Sequence, residues 1–180
     1  KRQVKDPHCI WFEDKMKLSD FSVLTFDCYG TLIDWESGMV EGLRPLTEQI
    51  AVRDGSAPER NAILEAHARH ESSQQLRTPS KRYSDLLPCV YRRIAEEWNI
   101  SVSWDEAVTY GMSVEHWPAF PDSAEALAYL KEHYQLVILS NVDNASFAHS
   151  HAKLGVAFDG IYTAEDVGSY KPAAANFEYM

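Results

Sequence analysis

Phe21-Ser22-Val23-Leu24-Thr25-Phe26-Asp27-Cys28-Tyr29-Gly30-Thr31-Leu32 is the stretch on which the fold turns. Its first half is apolar with little alternation, the pattern of a strand buried on both faces of a parallel sheet. The run stops at Asp27, and Gly30 supplies the freedom for a tight exit. A carboxylate at the end of such a strand faces the crevice where α/β sheets gather ligands. It can attack carbon or phosphorus and leave a covalent intermediate for water to cleave. Asp at a strand end is also the ordinary cap of a following turn, and spacing by itself favours that plainer role. Thr31 places a hydroxyl and a backbone donor beside the carboxylate.

Working outward, Leu136-Val137-Ile138-Leu139 forms a second apolar run. It follows a helix whose start is signalled by Asp122 and Glu125 in capping-box spacing and whose inner face carries Leu127 and Leu130. A helix from about Asn144 to Leu154 leads to a third strand around Gly160-Ile161-Tyr162. Strands alternating with helices predict an α/β fold, a doubly wound parallel sheet. Between residues 42 and 117 only helical patterns occur: Ile63, Leu64 and His67 make one stripe, and Val90, Ile94 and Trp98 another. The expectation is a core of residues 16–41 and 118–180 interrupted by an inserted helical cap at 42–117. Pro79 and Pro88 punctuate the insert, and Pro118 and Pro121 mark the return to the core. Residues 1–15 read as a polar tail, with Met16 as a natural start.

The 180 residues carry 27 acidic and 17 basic side chains, a net charge of -10. Without a basic field the chain has nothing to gather nucleic acid or an anionic membrane, so a small-molecule substrate is the expected partner. Cys9, Cys28 and Cys89 are odd in number and far apart, which suggests neither a disulfide framework nor a thiol metal site and fits a reducing, cytoplasmic setting. No apolar run approaches the roughly 20 residues of a membrane span.

Two further motifs sit where ligands would meet the sheet. Ser140-Asn141 closes the second strand: a hydroxyl and an amide for holding substrate, or a strand-to-helix cap. Tyr170-Lys171-Pro172 reads as a lysine opening a helix with proline in its first turn, or, taken by itself, as a surface turn.

Together these residues resemble the haloacid dehalogenase superfamily, and Asp27 to Leu32 with Ile33-Asp34-Trp35-Glu36 resembles its two-haloacid dehalogenase branch. The resemblance implies that Asp27 is the nucleophile and that Lys171 neutralises, orients and keeps it ionised. It also implies that Ser140 holds a substrate carboxylate and that Asn141 donates to a departing halide. Superfamily phosphatases carry a second Asp two residues after the nucleophile to protonate the leaving alcohol; Tyr29 stands there here. An ordinary tyrosine, with a pKa near 10, is a poor acid at neutral pH. A leaving group that needs no proton, such as halide, is therefore favoured.

The branch also takes halide on a cap arginine, for which Arg69, on a helix spanning residues 58 to 76, is the candidate; a solvated surface residue is the plain alternative. The family pattern further has Asp after the third-motif proline and Tyr near the chain end, where this sequence has Ala173 and Phe177. A fourth motif with acidic residues is implied beyond Met180, so the reading is a fragment or a natural truncation. His67, His70 and Glu71 share a helical face and His149 and His151 lie two apart, but no metal site is expected of them. The tryptophans read as packing residues, with Trp35 near enough to line a pocket.

The reading is then a cofactor-independent hydrolase of short 2-haloacids working through an ester on Asp27, with a homodimer as a possible assembly. The alternatives are a magnesium-dependent phosphatase of the same superfamily and a truncated, non-catalytic relative.

Overall fold

The computed structural model describes residues 17–180; the expected tail and the Met16 start lie outside the described residues. Three strands, β1 (Val23–Phe26), β2 (Gln135–Ser140) and β3 (Gly160–Thr163), form a parallel sheet in the order β1-β2-β3. Among the described residues nine α-helices surround it: α1 (Trp35–Gly42), α2 (Arg44–Asp54), α3 (Arg60–Arg77), α4 (Tyr83–Glu97), α5 (Trp104–Met112), α6 (Ser123–Lys131), α7 (Asn144–Leu154), α8 (Ala164–Val167) and α9 (Ala174–Tyr179). This is an α/β fold with a parallel sheet, as the alternation of patterns predicts.

The central strand takes the core. Leu136, Ile138 and Leu139 of β2 are buried between neighbours on both sides. β1 departs from expectation: it begins at Val23 rather than Phe21, and Val23 is 42% exposed with Leu24 and Phe26 only partly covered. Among the described residues it pairs with β2 alone, so its apolar side chains meet protein from one edge rather than two.

The helices α1 to α5 pack mainly on one another, α4 against α3 and α5 in particular. Leu86, Leu87, Val90, Tyr91 and Ile94 give α4 a fully buried apolar stripe at helical spacing, and Pro88 is accommodated within it. Trp117, 1% exposed, sits where the chain returns toward β2, and it fixes α1 beneath it: a Cβ on Gly38 would lie 2.3 Å from its ring. Helix α6 starts differently from the expected capping box. Asp122 is helical in conformation and its side chain caps nothing; the start is pinned instead by Ser123, whose hydroxyl donates to the Leu32 carbonyl at 2.8 Å. The turn after Pro121 already sets the geometry there, so the box is not needed.

Candidate active site

β1 delivers Asp27 to the carboxyl edge of the sheet, and the loop after it is tightly wound. The amides of Thr31, Leu32 and Ile33 all point at the Cys28 carbonyl (3.3, 2.7 and 3.0 Å), and Gly30 N–H returns to Ile33 O at 2.9 Å. Gly30 has φ +94°, a conformation L side chains rarely adopt, and a Cβ there would approach Trp35 Nε1 at 3.0 Å. The loop thereby turns Cys28 inward and leaves the Asp27 carboxylate half-exposed. Burial, with the Asp27 charge adding to it, pushes the Cys28 thiol up to about 12, so it stays protonated and unreactive.

Lys171 arrives from 144 residues away. Its Nζ donates to Asp27 Oδ1 at 2.6 Å and to the Leu139 carbonyl at 2.6 Å. Asn141 fixes the lysine backbone: its Oδ1 accepts from Lys171 N at 2.6 Å and its Nδ2 donates to Lys171 O at 3.2 Å. The ammonium is thus held by the end of β2 at the Leu139 carbonyl, and the lysine backbone by Asn141, which follows the strand. Thr31 Oγ1 reaches the other Asp27 oxygen at 3.4 Å, a long bond that leaves Oδ2 the freer of the two. Lys171 precedes the helix rather than opening it: Lys171-Pro172 form a turn, and α9 starts at Ala174. Continuing a helix back through them would swing Nζ off the carboxylate.

A cavity of about 360 Å³ opens at this pair, lined by Asp27 and Lys171 on the sheet side, by Tyr29, Trp35 and Trp117 as aromatic walls, and by Glu71, Gln75 and Tyr83 from α3 and α4. Asn141 and Val142 complete the lining. The volume suits a small substrate. Tyr29 occupies the second position after Asp27, its ring edge-on to Trp117 at 5.7 Å and its hydroxyl paired with Ser150 Oγ at 2.8 Å. Burial raises its pKa far above the ordinary value, which places proton donation at neutral pH further out of reach.

The other residues singled out by sequence fall elsewhere. Ser140 is 1% exposed, its hydroxyl lies outside the cavity lining and it meets no hydrogen-bond partner among the described residues. One N–H of Asn141 is spent on Lys171, so the residue positions the lysine as well as lining the cavity. Arg69 points outward, with both oxygens of Glu97 at 2.6 and 2.7 Å, and His70 shares that carboxylate. Among the described residues no arginine lines the cavity. His149 is exposed, while His151 is stacked on Phe147 and bonded to the Val156 carbonyl at 2.8 Å.

Two acidic residues matter more than sequence reasoning allowed. Glu71 lines the cavity, and burial raises its pKa from the usual 4.5 to about 6, only partly offset by the Tyr83 hydroxyl. Beside it His67 is completely buried, its ring nitrogens without hydrogen-bond partners and Nδ1 3.7 Å from Glu71. Burial, with His70 adding to it, lowers that imidazole to about 3, so it is neutral. Asp143 caps α7 by accepting from Ser146 N (2.9 Å) and also accepts from Ser84 N at the start of α4 (2.7 Å). Burial works against its charge, but these bonds outweigh it and hold the carboxyl below the usual range. An Asp before Asn144 was a legible N-cap signal; its second bond to α4 was not.

As to a metal, no group of three or more His, Cys, Asp or Glu is assembled among the described residues. The carboxylate that a magnesium ion would share is already paired with Lys171, and Tyr29 stands where a second acid would be.

The site is thus a strand-end carboxylate, Asp27, clamped by a lysine from a later turn at the edge of a parallel α/β sheet. The sequence pattern of haloacid dehalogenase-like hydrolases matches residues 21–180, and the chain belongs to that family. Among solved structures it is similar to the L-2-haloacid dehalogenase PA0810 (TM-score 0.70, 20% identity, covering 88% of this chain and 68% of that one). It is also similar to the Xanthobacter autotrophicus L-2-haloacid dehalogenase with chloropropionic acid covalently bound (0.71, 16%, 88% and 62%). A third is the HAD-hydrolase YfnB of Bacillus subtilis bound to magnesium (0.68, 18%, 88% and 72%). The chain thus spans about two thirds of these relatives' length, and at such identities the likeness shows the fold. No curated protein sequence matches. No described helix is long and apolar enough to cross a membrane.

Proposed function

We propose that the protein hydrolyses the carbon–halogen bond of a short 2-haloacid through an ester on Asp27. The observation that carries the reading is the pairing of a lysine-held Asp27 with a tyrosine, partly buried and engaged by Ser150, at the position where a leaving-group acid would stand. Asp27 Oδ2 attacks the carbon bearing the halogen, and the halide departs with the bonding electrons and needs no proton. Water then adds to the Asp27 carboxyl carbon, and the carbon–oxygen bond to the enzyme breaks, releasing the hydroxy acid and a proton. Lys171 compensates the carboxylate charge before the attack and again once hydrolysis restores it.

Halide release from 2-chloropropionate in the presence of a chelator tests the activity. Single turnover in oxygen-18 water tests the ester, because label must enter the peptide containing Asp27, and Asp27→Asn must abolish halide release. Label found only in the product after one turnover, or chelator-sensitive activity restricted to phosphate esters, overturns the reading.

A further inference from the structure

Helix α9 buries a single side chain, and it is polar: Asn176 is 0% exposed, while Phe177 and Tyr179 near it are each 55% exposed. Asparagine is mostly a surface residue, and a short helix is ordinarily anchored by an apolar one. Asn176 Oδ1 meets no hydrogen-bond partner among the described residues, so the amide is a costlier anchor than a leucine of similar size. What the amide does is donate twice. Its Nδ2 lies 3.2 Å from the Ala173 carbonyl and 3.0 Å from Ser169 Oγ. The first bond is local, to the N-cap residue of its own helix. The second crosses the turn that carries Lys171, from α9 back to the residue that follows Gly168, the C-cap of α8.

We propose that Asn176 is a positioning residue, which braces the turn of residues 169–173 and so holds the Lys171 ammonium on Asp27. A lysine ammonium rides on a flexible four-carbon stem, and it keeps one place only when the backbone beneath it is fixed. Here Nζ has to meet two oxygens at once, Asp27 Oδ1 and the Leu139 carbonyl, both at 2.6 Å. Three side chains steady that backbone. Asn141 bonds both the N–H and the carbonyl of Lys171, and Tyr170 donates its hydroxyl to the Lys81 carbonyl ahead of α4. These two fasten the turn to the rest of the fold. The turn itself is closed by the Ala173 N–H on the Tyr170 carbonyl at 3.1 Å, and Asn176 extends the closure to Ser169. Asn176 lies outside the cavity lining, so its effect on the site passes through Lys171. The inference needs the Asp27–Lys171 pair, and its kinetic consequence alone rests on the dehalogenase reading.

Lysine acylation followed by mass spectrometry reads the brace without turnover. Brief treatment of the folded protein with acetic anhydride labels each amine according to its freedom. Lys131 and Lys153 serve as internal references, being bonded elsewhere, to Asp159 and to the Glu115 and Trp117 carbonyls. Asn176→Leu keeps the volume and removes both donated bonds, and Lys171 should then label about tenfold faster with the two references unchanged. Ser169→Ala removes only the bond across the turn and should raise Lys171 labelling about threefold. Halide release should fall in the same order, through kcat, with KM within about twofold of wild type. If Asn176→Leu raises all three lysines together, the chain has loosened generally and Ser169→Ala decides. A selective rise at Lys171 in neither variant overturns the proposal. If the selective rise is found and the wild type releases no halide, the dehalogenase reading fails and the brace stands.

Discussion

Replacing Glu71 by Gln removes a carboxyl whose charge the fold opposes, and the effect on stability can be worked from the structure. Its side chain is 20% exposed and lies against neutral His67, Gln75 and Tyr83, and burial lifts its pKa from 4.5 to about 6. Folding therefore favours the protonated acid. Below about pH 4.5 both folded and unfolded chains hold the proton, and the charge costs nothing. As pH rises to 6 the unfolded chain ionises first, so stability falls, and above 6 the full cost applies. At 1.36 kcal/mol per pH unit, a displacement of about 1.5 units costs about 2 kcal/mol. Gln fills the same volume with no charge. Glu71→Gln should thus gain about 2 kcal/mol over the wild type on going from pH 4 to pH 7.5. In a chain of this size that corresponds to about 4–8 °C in Tm. Thermal or urea unfolding of both proteins at the two pH values measures it. A stability difference that stays constant with pH, or grows toward acid, would refute the assignment of Glu71 as a carboxyl whose burial outweighs the hydrogen bonds it accepts.

Tyr29→Phe removes the hydroxyl bonded to Ser150 and should cost about 1 kcal/mol of stability while leaving halide release within a few-fold of wild type; a loss of several hundred-fold with normal folding would show that Tyr29 acts in the chemistry. Asp143→Ala deletes both the α7 cap and the bond to Ser84, with an expected loss of about 1–3 kcal/mol at pH 7. Because the Asp143 carboxyl titrates below its unfolded value, that contribution is present above pH 4 and disappears as pH falls through the folded pKa, so the gap between Asp143→Ala and wild type, followed by chemical denaturation, should close in acid.

Local chemistry was enough for the order of elements and for the loop that carries Asp27. An apolar run ending in Asp27-Cys28-Tyr29-Gly30-Thr31 can satisfy its backbone in few ways, and the wound loop with Gly30 at positive φ is one that places the carboxylate outward. The lysine partner was legible only as a motif; that Nζ lies 2.6 Å from Asp27 depends on Leu139 and Asn141 holding it, 30 residues and more away in sequence. The strand pattern overstated the cover on β1, since an apolar sequence reports a preference for burial and not how many neighbours a strand has.

On α3 the sequence by itself determined a helix, and tertiary packing decided which way each residue looks. Arg69 and Glu71 are two positions apart, about 200° around the helix axis, so at most one of them faces any given wall. The apolar residues of α3 are sparse, and polar His67 and Gln74 are among its buried ones, so the inward face is not marked by hydrophobicity. Helix α4, with its strong apolar stripe, settled the rotation by packing against α3, turning Glu71 toward the cavity and Arg69 toward Glu97. The position of the Asp27 carboxylate was therefore written in a short contiguous stretch, because its geometry is local. The composition of the helical wall of the cavity was decided only when helices from different parts of the chain met.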